Sequence, residues 1–204
     1  MTDLWIASNN EKKRTELLRL LGPLGYELRP LRDAPGPVEM IEDAPDFAGN
    51  AAIKAVALAR VVRGFAIGDD SGLCVDALGG EPGVRSARWA GEAADDGDRI
   101  AKLLGALEAI PEADRAAHFV CHVCVADPQG RVVVRVEETC AGSITREIRG
   151  EGGFGYDPVF VAAAHRGPDA RTFAQLTAAD KDAVSHRGKA LRRLVEHLRD
   201  HPLG

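Results

Sequence analysis

The sequence is poor in cysteine, and the few cysteines it has do not form a recognisable metal or redox motif. There are four among 204 residues: Cys74, Cys121, Cys124 and Cys140. Cys121 and Cys124 have CxxC spacing, but the residues around them alternate as in a β-strand, where side chains three positions apart point to opposite faces. A second CxxC is absent, so a zinc or redox protein is the weakest alternative, and we expect buried structural thiols.

Other absences narrow the functional classes. No apolar run reaches the ~18 residues of a membrane span, and the start Met1-Thr2-Asp3 lacks the basic and apolar regions of a signal peptide, which indicates a cytoplasmic protein without membrane contacts. The net charge is −5, which argues against nucleic acid as a partner. The Walker loop GxxxxGK[ST] is missing, so a phosphate site would need another construction.

What is present is an alternation of strand-like and helix-like segments. Hydrophobic spacing and turn residues predict one helix between Asn10 and Gly22 and others over 47–63, 95–109, 177–182 and 187–198, with strands near 4–7, 26–31, 65–69, 73–78, 118–127, 131–140 and 159–162. This pattern predicts an α/β fold with a mixed sheet. We expect one domain over residues 1–204, with a smaller lobe at about 115–165 and a ligand cleft between two lobes.

The stretch Asp69-Asp70-Ser71-Gly72 is the most informative in the chain. It follows the apolar run Phe65-Ala66-Ile67-Gly68, at the position where a strand is expected to end. In open α/β proteins, ligands bind outside the carboxyl ends of the strands. Carboxylates there can hold Mg²⁺, which in turn holds phosphates. The alternative interpretation is an ordinary polar turn.

Two further clusters have side chains suited to phosphate. Ser8-Asn9-Asn10-Glu11-Lys12-Lys13 lies between a strand and a helix, where the N–H groups of a first helical turn favour an anion. Asn50 and Lys54 are four residues apart, so they share one helix face, and Glu42 lies in the acidic loop before that helix. The alternative to phosphate binding is helix capping with a solvated charged face for the first cluster, and an exposed polar patch for the second.

The C-terminal third has the features of a base-binding region. Gly152-Gly153-Phe154-Gly155-Tyr156-Asp157-Pro158 combines aromatic residues with a flexible backbone, and Phe154 could stack on any base. Lys181 and Ser185-His186-Arg187 offer donors for the carbonyl edge of a purine. The alternatives are core aromatic side chains and a hydrogen-bond network at a helix start.

In this order the clusters resemble the non-canonical purine nucleoside triphosphate pyrophosphatases, also called ITP/XTP pyrophosphatases. The resemblance spans nearly the whole chain and includes Ile6-Ala7-Ser8-Asn9-Asn10 with Lys13, Phe47 with Asn50-Ala51 and Lys54-Ala55, Asp69-Asp70-Ser71-Gly72-Leu73, Leu78-Gly79-Gly80 with Pro82-Gly83, Ser86-Ala87-Arg88-Trp89, Gly152 to Pro158, and Ser185-His186-Arg187. The chain departs from the family's usual pattern at Asn9, at Gly49 and in the loop 41–46.

The resemblance implies a mixed, elongated α/β sheet flanked by helices, two lobes with a central substrate cleft, and a homodimer. It implies hydrolysis of ITP, dITP and XTP to the monophosphate and pyrophosphate, which cleanses the nucleotide pool. By position, Asp70 and Asp69 would be catalytic, and Asp70 and Glu42 would hold Mg²⁺. Substrate contacts are implied for Ser8, Asn9, Asn10, Glu11, Lys12, Lys13, Asn50, Lys54, Ser71, Phe154, Gly155, Tyr156, Asp157, Lys181, His186 and Arg187.

Three alternatives stay open at this point. A Maf-like pyrophosphatase would act on pyrimidine or modified nucleotides, and a non-catalytic nucleotide sensor would keep the pocket without turnover. The Asp69-Asp70 pair argues against a sensor, because a binding protein does not need a base. A zinc or redox protein remains the third.

Overall fold

The computed structural model describes residues 2–204. Within them the chain forms six strands and five α-helices. In chain order they are β1 (Asp3–Ile6), α1 (Glu11–Leu21), β2 (Glu27–Pro30), α2 (Phe47–Val62), β3 (Phe65–Val75), α3 (Asp96–Ala106), β4 (Ala116–Ala126), β5 (Val132–Ile144), β6 (Phe160–Ala162), α4 (Ala178–Val184) and α5 (His186–Asp200).

The six strands form one mixed sheet in the order β2-β1-β3-β4-β5-β6. β1 pairs in parallel with β2 and β3, whereas β5 and β6 are antiparallel. Parallel pairs require crossover connections, and here α1 and α2 lie in them, whereas β4 and β5 are joined by a short turn. The α/β fold with a mixed sheet, expected from the sequence, is confirmed.

The chain divides into two compact units. The first comprises the described residues up to Asp70 together with 121–138 and 188–204, and the second comprises 71–120 and 139–187. The predicted lobe at about 115–165 is a different division of the chain and stays a prediction. Among residues 2–204, no helix combines the length and apolar composition that crossing a bilayer would require.

In the first unit, apolar side chains pack on both faces of the strands. One cluster joins β1 to α1 and α5, through residues such as Leu4, Leu17 and Leu191, and includes Cys121. The other joins α2 to the opposite face and includes Cys124. All four cysteines are free. The prediction that Cys121 and Cys124 are structural thiols on opposite faces is confirmed.

The second unit has its own apolar core, in which α3 packs with parts of β3, β4, β5 and β6. Arg115 is buried within this unit, and its guanidinium donates to the backbone carbonyls of Leu107, Ile144 and Thr145 at 2.7 to 3.0 Å. These bonds satisfy a buried charged group that would otherwise be costly.

One predicted boundary is wrong. The sequence suggested that one strand ends at Asp69 and that another runs over 73–78, but β3 continues without interruption from Phe65 to Val75. Residues 76–78 form a 3₁₀ turn instead. The Asp-Asp-Ser-Gly stretch is therefore extended backbone inside a strand, and the interpretation as a polar turn is also wrong.

Candidate active site

Strand β3 presents two buried carboxylates, each beside a lysine. Asp69 and Asp70 are only 3% and 7% exposed, and neighbouring residues of a strand point to opposite faces. Lys13, in the first turn of α1, lies 3.0 Å from the carboxylate of Asp69. Lys54 of α2 lies 2.8 Å from that of Asp70. Because an uncompensated buried charge is costly, each lysine offsets part of the cost of its carboxylate.

Lys54 also reaches a third carboxylate. Its Nζ donates to Asp70 Oδ1 at 2.8 Å and to Glu42 Oε2 at 3.0 Å. Asn50, one helical turn earlier, donates to Asp70 Oδ2 at 3.4 Å and accepts the N–H of Ala44 at 3.1 Å. One face of α2 therefore contacts Asp70 and also fixes the loop that carries Glu42. The spacing of Asn50 and Lys54 predicted only that they share a face.

Gly68 permits the close approach between α2 and β3. A Cβ at this position would lie 2.5 Å from the carbonyl oxygen of Ala51 and 2.6 Å from the amide nitrogen of Ala55. Ala51 and Ala55 are themselves completely buried. Small residues on both elements bring the helix backbone against the strand, and this places Lys54 beside Asp70.

Burial raises the pKa of Asp70 above its ordinary value of 3.8, and the positive charges of Lys54 and Lys13 offset this only in part. Burial alone would lower the pKa of Lys54, but the carboxylates of Asp70, Asp69 and Glu42 outweigh it and raise that pKa above 10.5. The group thus combines a carboxylate of increased basicity with an ammonium that stays charged, a combination typical of catalytic sites.

The first turn of α1 is capped by its own side chains. Asn10 Oδ1 accepts the N–H groups of Lys12 and Lys13 at 3.0 and 3.1 Å, and Ser8 Oγ accepts the N–H of Asn10 at 3.2 Å. These donors were candidates for an anion, so the capping explanation accounts for part of this segment. Asn9, Glu11 and Lys12 are exposed. The binding roles suggested for Ser8 to Lys13 stay predictions.

The second unit contains a group of aromatic and cationic side chains around Asp157. Asp157 Oδ2 accepts from Lys181 Nζ at 2.6 Å and from the N–H of Phe154 at 2.8 Å. Lys181 Nζ lies 4.6 Å from the centroid of the Phe154 ring, and Arg187 Cζ lies 5.6 Å from it. Two cations near one ring favour a fixed orientation of that ring.

The residues at the start of α5 join this second group. Arg187 Nη2 donates to Ser71 Oγ at 2.6 Å, and Ser71 is the residue after Asp70 in β3. The ring of His186 stacks on Phe119, with centroids 4.5 Å apart and planes inclined by 9°. His186 and Arg187 are both buried. The chain thus places His186, Arg187, Lys181 and Phe154 in one unit, and the substrate contacts suggested for them stay predictions.

Tyr156 and Gly155 are engaged with the protein itself. The Tyr156 hydroxyl donates to the carbonyl oxygen of Ser86 at 3.0 Å, and burial raises the pKa of this tyrosine. The N–H of Gly155 donates to Asp96 Oδ2 at 2.8 Å. The core interpretation therefore describes Tyr156, and a substrate contact for either residue stays a prediction.

The carboxylates of the first unit match the ligand preference of Mg²⁺. Within residues 2–204 there is no group of three or more His, Cys, Asp or Glu side chains that could enclose a metal. Mg²⁺ does not need one, because it is commonly held by one or two carboxylates together with water and substrate phosphates. Asp70 and Glu42 already surround a cation, the ammonium of Lys54, and their hard oxygen atoms fit the metal.

Comparison with known proteins decides the family. A sequence model of the Ham1 family matches residues 4–197. The chain belongs to the Ham1 family. It is 47% identical over 195 residues to the dITP/XTP pyrophosphatase of Desulforamulus reducens, with 96% of this chain and 94% of the relative covered. The dITP/XTP pyrophosphatase of Geobacillus kaustophilus is 46% identical over 196 residues, with the same coverage of 96% and 94%.

Solved structures of the Ham1 family have the same fold. The HAM1 protein from Coxiella burnetii matches with a TM-score of 0.88 and 38% identity, over 98% of this chain and 100% of the other. The nucleoside-triphosphatase / dITP/XTP pyrophosphatase from Mycobacterium abscessus matches with a TM-score of 0.75 and 44% identity, over 97% and 100% of the two chains. The family resemblance and the fold predicted from the sequence are confirmed.

Sequence reasoning assigned no role to four residues that support the site of this Ham1 protein. Gly68 had a usable signal, since glycine inside a strand marks a close backbone approach. Ser86 belongs to the motif Ser86-Ala87-Arg88-Trp89 but had no stated role. Phe119 and Asp96 had no signal, because their contacts join residues about 60 positions apart in sequence.

Proposed function

We propose that this protein hydrolyses dITP, ITP and XTP to the corresponding monophosphate and pyrophosphate. The observation that carries the proposal is the group formed by Asp70, Lys54, Glu42, Asp69 and Lys13. It combines a basic, buried carboxylate with two ammonium groups for phosphate. Membership of the Ham1 family and high identity to proteins named dITP/XTP pyrophosphatase support the same reaction.

In this reaction Asp70 is the general base. A water oxygen attacks the α-phosphorus, its proton passes to the Asp70 carboxylate, and the bond from the α-phosphorus to the bridging oxygen breaks as pyrophosphate leaves. The raised pKa of Asp70, caused by burial, suits a proton acceptor. Asp69, with Lys13 beside it, supplies a second carboxylate at the same point of the strand.

The charge of the triphosphate needs cations, because phosphoryl chemistry depends mainly on positioning and charge neutralisation. Lys13 and Lys54 provide two. These two positive charges lie beside three carboxylates. Without substrate the group therefore has an excess of negative charge, which favours the binding of an additional cation. We propose Mg²⁺, held by Asp70 and Glu42. When bound, the metal would neutralise phosphate oxygens and the charge of the leaving pyrophosphate.

The second group is proposed to bind the base. The face of Phe154 stacks on the purine, and donors come from Lys181 and Arg187, which lie near that ring, and from the adjacent His186. Hypoxanthine and xanthine have an oxygen at position 6, which accepts from these donors. Adenine has an amino group there, and each buried donor left unpaired would cost about 1–3 kcal/mol. This mismatch would disfavour ATP.

The remaining proposals concern the whole molecule. We propose a homodimer, on the resemblance noted above, and a location in the cytoplasm. Light scattering coupled to gel filtration measures the oligomeric state. We expect a mass near twice 21.7 kDa, and the mass of a monomer would contradict the proposed dimer.

A nucleotide panel tests the proposed reaction. The purified protein is mixed with dITP, ITP, XTP, GTP, ATP and dTTP, with Mg²⁺ and with EDTA, and products are resolved as pyrophosphate or orthophosphate. We expect pyrophosphate from dITP, ITP and XTP only with the metal. Orthophosphate release would show that a different bond is broken, preference for dTTP would favour a Maf-like activity, and no turnover would favour a sensor.

A further inference from the structure

The loop Gly152–Asp157, which carries Phe154, is held by several hydrogen bonds, among them the bond from Lys181 to Asp157 and one from the N–H of Gly152 to the carbonyl oxygen of Ala174. Three more lie close to Phe154. Within the loop, the N–H of Phe154 donates to Asp157. Outside it, the hydroxyl of Tyr156 donates to the carbonyl of Ser86, and the N–H of Gly155 donates to the carboxylate of Asp96. The bond to Asp96 is the one of these three that joins the loop backbone to a charged side chain on another element, so it is a charge-assisted anchor.

Asp96 is not required to start its own helix. It is the first residue of α3, but the cap is Asp95, whose side chain accepts the N–H of Asp98 while Asp98 accepts the N–H of Asp95. This reciprocal arrangement is a complete capping box. The carboxylate of Asp96 instead bonds to Gly155 with one oxygen and to Arg99 with the other, at 2.8 and 2.6 Å.

The loop needs such an anchor because its backbone has little stiffness of its own. Gly153 and Gly155 adopt φ values of 72° and 59°, in the left-handed region that favours glycine. A segment rich in glycine loses much conformational entropy when it becomes ordered. An external acceptor for Gly155 restricts the backbone on the C-terminal side of Phe154, and thereby the position of the Phe154 ring.

We propose that Asp96 is a positioning residue for purine binding, which acts by fixing Phe154 through the N–H of Gly155. The inference rests on the proposed function, in which Phe154 stacks on the base. Stacking on an aromatic ring does not distinguish one base from another. Loss of Asp96 should therefore weaken the binding of every purine nucleotide by a similar factor. Loss of the donor Arg187 should weaken mainly the binding of nucleotides whose base has a 6-oxygen.

The experiment compares Asp96→Ala, Asp96→Asn and the control Asp98→Ala in the full chain. Asp98→Ala removes a carboxylate from the same helical turn and breaks the capping box, but Asp98 has no bond to the loop among its contacts at this helix start. Asp96→Asn keeps a side-chain oxygen that accepts from Gly155. The readouts are kcat and KM for dITP, XTP and ATP with Mg²⁺, the melting temperature, and hydrogen–deuterium exchange of residues 152–157.

For Asp96→Ala we expect a rise in KM of about three- to tenfold, the effect of one net hydrogen bond, with kcat within about twofold of wild type. The rise should be similar for all three nucleotides, and the amide of Gly155 should exchange faster. Asp96→Asn should restore most of the wild-type KM, because its amide oxygen still accepts from Gly155 but without the charge of the carboxylate. Asp98→Ala should lower the melting temperature while KM and the exchange of Gly155 remain as in wild type.

The proposal is overturned if Asp98→Ala raises KM as much as Asp96→Ala, since the effect would then come from the helix start. Unchanged exchange at Gly155, or a fall in kcat without a rise in KM, would also overturn it. Failure of the proposed function is a separate result: wild-type protein would then release no pyrophosphate, while the exchange measurement would still decide whether Asp96 anchors the loop.

Discussion

Replacement of Asp70 by asparagine separates the chemistry of this carboxylate from its contribution to folding. Asparagine has nearly the same shape, and its side-chain oxygen can still accept from Lys54, whose Nζ lies 2.8 Å from Asp70 Oδ1. Lys54 also keeps its partner Glu42 at 3.0 Å. The substitution removes the negative charge, the ability to accept a proton and the second oxygen, which accepts from Asn50 at 3.4 Å.

The expected loss of activity is large, and the expected loss of stability is small. One positioned base contributes about 10²–10⁴-fold to a rate, so kcat/KM for dITP should fall by about that factor. The pKa of Asp70 is raised by burial, which means that its ionised form is less favourable in the folded than in the unfolded chain. Removing this charge favours folding, but it also takes one carboxylate away from the buried ammonium of Lys54. Because the two effects oppose each other, the asparagine variant should melt close to the wild-type temperature.

The raised pKa of Asp70 also determines the direction in which stability and activity change with pH. Folded protein binds the Asp70 proton more tightly than unfolded protein, so this group reduces the free energy of unfolding as pH rises from 3.8 through the raised pKa. Activity has the opposite trend, because only the ionised form accepts a proton. The acidic limb of kcat/KM should disappear from the residual rate of Asp70→Asn.

The assay is pyrophosphate release from dITP at saturating Mg²⁺, with thermal unfolding followed by circular dichroism. Asp76→Asn is the matched control, since Asp76 follows the same strand but its side chain is 64% exposed. Asp69→Asn distinguishes the two carboxylates and should cost less activity than Asp70→Asn.

The base assignment is refuted if Asp70→Asn retains more than about a tenth of wild-type kcat/KM, against the loss of about 10²–10⁴-fold expected for a base. A drop in melting temperature beyond about 4 °C, roughly 1 kcal/mol for a chain of this size, would show instead that Asp70 supports the fold.

Three other substitutions have defined outcomes. Arg187→Ala should reduce kcat/KM for dITP and XTP more than for ATP in a substrate panel, and an equal loss for all nucleotides would contradict base reading. Gly68→Ala places a methyl 2.5 Å from the carbonyl oxygen of Ala51 and should destabilise the protein by about 1–3 kcal/mol in urea unfolding; unchanged stability would mean that α2 shifts freely. Arg115→Met should lower the free energy of unfolding by roughly 1–3 kcal/mol for each carbonyl acceptor that stays buried without a donor. Urea unfolding measures this loss, and Arg131→Met at an exposed turn is the control.

Much of the fold follows from local patterns. The helix α1 begins after Asn10 and ends before Gly22-Pro23, as the cap and the breaker predict. The turn over Asp127 to Gly130 joins β4 and β5 because Gly130 can adopt a φ of 75° and donate back to Asp127. These features depend on residues close together in sequence, so a single chain is enough to predict them.

The site depends on contacts that no local pattern contains. Asp96 and Gly155 are 59 residues apart, and Ser71 and Arg187 are 116 apart. The spacing of Asn50 and Lys54 predicted that they share a face, but only the packing of α2 on Gly68 determines that this face meets Asp70. Sequence reasoning could therefore name most candidate residues through the family resemblance, but not the residues that position them.

The error at β3 has a physical cause that also explains the site. Asp, Ser and Gly are poor strand residues, and their cluster predicts a strand end. The neighbouring strand β1 does end here, since its last pair is Ile6 with Ile67, and Lys13 of α1 lies beside the Asp69 that follows. β3 continues past this point because lysines from α1 and α2 compensate Asp69 and Asp70, one from each helix. In the proposed function the rule that ligands bind beyond the carboxyl end of a strand thus applies to β1, and the unfavourable residues of β3 are the ones that the proposed chemistry at that edge requires.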